Sequence, residues 1–148
     1  MHIRSGDIDI TGTSEDVLRV TCQVNTSGTK ISFAAGDLRI YDGPDHDAHF
    51  RIAVPQRTNL LVRAPAGNLN ISGIAGDKDV ELRAGNLTIA AGPAESYRVV
   101  EGSLLAGNLR AEPFGVMKEG LFRSFRKENA KGQYRLRVEL MAGNLTLK

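Results

Sequence analysis

The chain has 148 residues, is 41% hydrophobic and 24% charged, and carries a formal net charge of +2. That length suits one domain with a core of its own, here residues 1–148, and the composition excludes a disordered or low-complexity chain. A charge so near zero gives no reason to expect nucleic acid as a partner, a single cysteine rules out a disulfide framework, and no apolar run is long enough to span a membrane.

Along the chain, a small residue, Gly, Asp or Asn, and then alternating apolar positions recur. The first copy is Ser5-Gly6-Asp7-Ile8-Asp9-Ile10. Strand-like runs follow at 16–24 and 29–33, and Cys22 in the first of them reads as a small buried hydrophobe. The second copy is Ala35-Gly36-Asp37-Leu38-Arg39-Ile40, and the apolar alternations 48–54 and 59–63 lead to Ala66-Gly67-Asn68-Leu69-Asn70-Ile71. A degenerate copy at 75–80 precedes Ala84-Gly85-Asn86-Leu87-Thr88-Ile89. After a run at 97–100 comes Ala106-Gly107-Asn108-Leu109-Arg110-Ala111. The stretch 116–128 has a broken apolar face interrupted by Gly120, which predicts a short turn or ordered loop rather than a helix. A last alternation at 133–140 ends in Ala142-Gly143-Asn144-Leu145-Thr146-Leu147.

Gly followed by Asp or Asn tolerates positive φ and supplies a side-chain oxygen for local hydrogen bonds, so each copy reads as a corner followed by a short half-buried strand. The glycine spacings, from 18 to 36 residues, predict an all-β fold, a short single-domain β-solenoid with some rungs lengthened by hairpins. A two-sheet β-sandwich made of the same strands is the alternative. In the solenoid, Gly6, Gly36, Gly67, Gly85, Gly107 and Gly143 form the corners. Leu69, Leu87, Leu109 and Leu145 form an inward ladder, with the asparagines stacked beside them.

The Gly-Asp/Asn-Leu-x-Ile units, the link Gly73-Ile-Ala-Gly76-Asp77-Lys78-Asp79-Val80-Glu81-Leu82 and the tail from Pro113-Phe114-Gly115 to Ala142-Gly-Asn-Leu resemble bacterial putative-adhesin domains of unknown function. The resemblance covers essentially the whole chain. It implies a β-solenoid in the cell envelope, outside the cytoplasm if a leader has been removed, and it carries no catalytic residues. The resemblance implies Gly-Asp at the corners of most members, where this chain has Gly-Asn in four copies.

Other chemistry is thinly supported. Asp45-His46-Asp47-Ala48-His49 has ligand-type residues but reads as a solvated hairpin tip after Gly43-Pro44. Asp77, Asp79 and Glu81, with Arg83 after them, form an acidic row that a solvent-facing strand explains without catalysis. Corner asparagines are poor ligands for calcium, so neither a metal nor another cofactor is expected. Residues 118–137 hold seven Lys and Arg against two Glu, a local charge of +5, which leaves −3 elsewhere. In that segment Arg123, Phe125, Arg126 and Lys127 form a candidate binding surface for an acidic group. The segment at about 113–137 reads first as a basic, aromatic insertion or cap over an open end of the coil.

These readings converge on a non-catalytic surface or envelope module whose rigid face binds a protein, a glycan or copies of itself. Two alternatives are a self-assembling structural solenoid, a homo-oligomer joined through exposed strand edges such as that of the C-terminal strand, and a carbohydrate-active enzyme on a β-helix. The enzyme requires two carboxylates at catalytic separation.

Overall fold

The computed structural model describes residues 1–23, 27–42 and 48–148. They form eleven strands in one open sheet: β1 (His2–Ile3), β2 (Gly6–Thr13), β3 (Arg19–Gln23), β4 (Lys30–Ala34), β5 (Asp37–Tyr41), β6 (His49–Pro55), β7 (Leu60–Ser72), β8 (Lys78–Ile89), β9 (Tyr97–Ala111), β10 (Val116–Glu128) and β11 (Tyr134–Leu147). Two single 3₁₀ turns flank β9, at Ala94–Ser96 and Glu112–Phe114. The fold is all-β, and one continuous sheet takes the place of the two-sheet alternative.

The long strands β7, β8, β9 and β11 each consist of two arms joined at a glycine. In β8 the buried positions are Lys78, Val80 and Leu82 on the first arm, then Leu87 and Ile89 on the second. The five-residue step from Leu82 to Leu87 breaks the strict two-residue alternation of a flat strand, so the chain turns a corner there and both arms face one core. The corner requires glycine for a concrete reason. Gly85 has φ +123°, and a Cβ on it would fall well inside 3.0 Å of the Gly67 carbonyl oxygen on the neighbouring rung. Gly143 stands in the same relation to Gly85, with φ +132°.

Neighbouring rungs run parallel and in register. Gly67 lies opposite Gly85, Gly85 opposite Gly143, and Gly143 opposite Gly107, while Gly6 of β2 lies opposite Gly67. Beneath them Ile8, Leu69, Leu87, Leu145 and Leu109 form one buried column. β1 and β2 supply the two arms of the next rung, β5 and β6 those of the rung beyond, and β4 and β3 close that end by pairing antiparallel to them.

Three expectations are corrected. Gly36 is not a corner of the stack: Ala35 (φ 50°) and Gly36 (φ 80°) make the tight turn of the β4–β5 hairpin, in which Ala34 faces Asp37. Both residues need positive φ because a two-residue hairpin must match the strand twist. The stretch 116–128 is a thirteen-residue strand, β10, antiparallel to β9. Its apolar pattern is broken because it is an edge strand, with Lys118, Arg123 and Lys127 alternating with Val116 and Phe125 on the side that faces the core. Finally, the C-terminal strand is not an edge: β11 lies between β8 and β9, paired in parallel with both. The loop after β10 crosses the start of β9, where the Asn129 N–H donates to the Arg98 carbonyl and the Gln133 N–H to that of Ser96.

Candidate functional site

The outward side of the second arms is a flat polar face built from the corner asparagines. Asn108 Nδ2 donates to Asn144 Oδ1 at 2.9 Å, Asn144 to Asn86 at 2.7 Å, Asn86 to Asn68 at 2.8 Å, and Asn68 to a carboxylate oxygen of Asp7 at 2.7 Å. The run has one direction, and its accepting end is a carboxylate, which has nothing to donate. That explains why Asp stands at this corner and Asn at the four inner ones. Asn144, Asn86 and Asn68 each spend one donor hydrogen and one lone pair along the ladder, leaving one N–H and one lone pair, while Asn108 at the donating end spends only a donor hydrogen.

Two residues further along each strand a second column runs Asp9, Asn70, Thr88, Thr146 and Arg110. Asn70 Nδ2 donates to Asp9 at 2.9 Å, and His49 Nε2 lies 2.7 Å from the other Asp9 oxygen. Burial raises the Asp9 carboxyl pKa, but the hydrogen bonds from Asn70 and His49 outweigh it and hold the group below the ordinary carboxylate range. Neighbouring strands in a sheet lie about 4.8 Å apart, so amides and hydroxyls form a regular two-dimensional array on this face.

On the outward side of the first arms the acidic side chains are paired with arginines. Asp79 is met by Arg63 at 3.0 Å and by Arg137 at 3.7 Å, and Glu81 by Arg63 at 3.0 Å. Asp77 accepts the Arg135 backbone N–H at 2.8 Å. The acidic row read from the sequence therefore bridges neighbouring rungs. A shallow groove near the β1 end holds Arg4, Arg39, Arg63 and Arg83, but Arg39 is bound to Asp37 and Arg63 to the acidic row. Of the Asp-His cluster, residues 45–47 lie outside the described residues, and His49 belongs to the Asp9 pair. Among the described residues no three His, Cys, Asp or Glu side chains gather as a metal site.

Arg123, Phe125, Arg126 and Lys127 do not share one surface. Directly paired residues of neighbouring strands point the same way. Arg123, Phe125 and Lys127 are paired with Leu104, Gly102 and Val100, so they take the core side of β10, while Arg126, paired with Glu101, takes the outer side. Phe125 lays its ring over Gly102, where a Cβ would collide with it, and its centroid is 6.3 Å from that of Phe114. Arg126 forms ion pairs with Glu101 and Glu128, and Arg135 reaches Glu101 at 3.1 Å. The Arg135 hydrogen bond is the main reason the Glu101 carboxyl is held below its usual range.

One site escaped the sequence reading. Lys78 is only 2% exposed and occupies a core-side position that Leu60 and Leu136 hold on the adjacent rungs. Its Nζ donates to the Gly76 carbonyl and the Tyr97 hydroxyl, both at 3.0 Å, and Tyr97 donates in turn to the Ala91 carbonyl at 2.8 Å. Burial pushes the lysine pKa down to about 8, with Asp77 opposing in part, and pushes Tyr97 up to about 12. The available signal was a lysine in phase with Val80 and Leu82.

Fold and face together define a class: an all-β chain of parallel, glycine-cornered rungs with a flat polar side. No known family model matches the chain, and no curated protein matches its sequence. Among solved structures, a protein of Clostridium sporogenes described as a putative cell adhesion protein has a similar fold. The two share 15% identity over 99% of this chain and 90% of that one, with a TM-score of 0.56.

Proposed function

We propose that this protein is a non-catalytic, adhesin-like β-solenoid module that works outside the cytoplasm and holds a glycan on the outer face of its second arms. The observation that carries the reading is the array of Asn68, Asn86, Asn144 and Asn108 beside Asn70, Thr88 and Thr146. Evenly spaced donors and acceptors on a rigid, flat support suit a hydroxyl-rich chain of repeating units. A protein partner would instead be anchored by aromatic or arginine side chains in a desolvated centre, and on this face the asparagine and threonine columns hold no aromatic side chain and one arginine, Arg110, at their β9 end. The fold shared with the clostridial protein and the family resemblance support the adhesive role and the extracytoplasmic location. No helix among the described residues is long and apolar enough to cross a membrane.

A glycan array with a protein-binding screen beside it tests the reading. Binding to one glycan class is expected, abolished by Asn86→Lys with Thr146→Lys and unaffected by Arg39→Ala on the other face. Capture of proteins alone, or glycan turnover instead of retention, refutes it.

A further inference from the structure

The two ends of the stack are finished in opposite ways. At the β10 end the core-side positions are Val116, Lys118, Arg123, Phe125 and Lys127, paired with Ala111, Leu109, Leu104, Gly102 and Val100. Lys118 therefore stands in the leucine column. It reaches across the corner to the Ser124 carbonyl, while Arg123 Nε returns to the carbonyl of Glu119. Charges at core-side positions of an edge strand oppose the addition of another strand.

The β3/β4 end has no such charges. Ile31 and Phe33 of β4 are paired with the buried Ile40 and Leu38, and Val20 and Cys22 of β3 with the buried Ile52 and Phe50. All four therefore face the core side. Ile31 is nevertheless 46% exposed and Phe33 58%. Among the described residues β3 and β4 each pair with one strand only. An apolar inner side on an unpaired edge is an unfinished core.

From this geometry we infer that the β3/β4 end is an interface between two copies of this chain related by a two-fold axis. Both strands are five residues long and complement one another when β3 of one copy runs antiparallel to β4 of the other. With Arg19 opposite Ala34, Val20 meets Phe33 and Cys22 meets Ile31 on the core side. On the outer side Thr21 meets Ser32 and Gln23 meets Lys30. No like charges oppose each other, and the two-fold repeats every pair once more, as an isologous contact requires. The β10 end of another molecule does not fit, because it would bring Lys118, Arg123 and Lys127 against the apolar positions. The outer faces remain free in such a pair, so the glycan reading and this interface stand or fall separately.

Sedimentation velocity over a concentration series, combined with oxidation of a cysteine variant, tests the interface. The unmodified chain should sediment at twice its monomer mass. Phe33→Glu, on an already exposed strand, should weaken association at least about tenfold, whereas Leu121→Glu at the opposite end should leave it unchanged. Ile31→Cys should oxidise to a covalent dimer, since paired positions on adjacent strands lie within disulfide reach of Cys22. An unmodified chain that stays monomeric, a dimer that survives Phe33→Glu, or an oxidised Ile31→Cys chain that runs as a monomer overturns the assignment.

Discussion

Lys78 offers the sharpest test of how this core is held together. Its amine sits at a position filled by leucine on both neighbouring rungs, and burial lowers its pKa from 10.5 to about 8. A shift of that size corresponds to about 3.5 kcal/mol of preference for the neutral form, at roughly 1.4 kcal/mol per pKa unit. Below about pH 8 both folded and unfolded chains carry the proton, and the folded state bears the whole cost of a buried ammonium. Between the folded pKa and 10.5 the unfolded chain holds more protons than the folded one, so stability rises with pH across that window. Above it the gain is complete.

Lys78→Met keeps the apolar stem and removes the charge. Folding stability at pH 7 should rise by about 1–3 kcal/mol, the spread reflecting the lost hydrogen bonds to Gly76 and Tyr97 at about 1 kcal/mol each. The assay is urea unfolding of both chains at intervals from pH 7 to 9.5, where Tyr97, with a pKa of about 12, stays neutral. The difference between the two stabilities should shrink steadily over that range. If the variant is the less stable at pH 7, or the difference does not change with pH, the buried amine is not a cost and the assignment of its environment is wrong.

At the corners, Gly85→Ala should cost roughly 4 kcal/mol or more by thermal unfolding, because its Cβ enters the Gly67 carbonyl. Gly92→Ala, with open space around it at φ +76°, should cost only about 1 kcal/mol. Asn86→Asp puts an acceptor where Asn68 expects a donor, so it should destabilise by about 1 kcal/mol at pH 7 and recover at pH 3, where the protonated acid can donate; urea titration at the two pH values reads this. Phe125→Ala, which uncovers Gly102, should lower stability by about 2 kcal/mol in the same assay. Replacing Lys118, Arg123 and Lys127 together by Leu should let chains associate through the β10 end, seen as species heavier than a dimer in sedimentation.

Much of this architecture could be read from local chemistry. A glycine followed by Asn or Asp marks a corner wherever a neighbouring backbone passes too close for a Cβ, and the residue two places beyond the glycine is then a core residue, as with Leu87 and Leu145. The same signal misled at Gly36, because a two-residue hairpin also asks for positive φ. Only the neighbours distinguish the uses: Gly36 has open space about it, while Gly85 has Gly67 against it. The amide ladder was legible as a stack of asparagines, but its direction and its carboxylate terminus depend on which rung comes first. Lys78 was missed because a lysine following two acidic or turn residues looks solvent-exposed until the phase of Val80 and Leu82 is extended back to it.

The order of the rungs was the hardest property to read, for a reason built into the repeat. Ala-Gly-Asn-Leu-Thr is identical in β8 and β11, so either presents the same corner, leucine and amide to a neighbour, and pairing chemistry alone cannot rank them. What ranks them is the connection. Seven residues link β8 to β9, whereas the chain leaving β9 first returns along it as β10 and then crosses its start. That crossing delivers β11 to the far side of β9, into the place β8 would otherwise fill. With β10 on one side and β11 on the other, β9 has no free edge, and the charged core side of β10 becomes the terminus of the stack. The basic, aromatic segment that departs from the repeat is thus the element that carries the chain past β9 and supplies the last strand of the sheet.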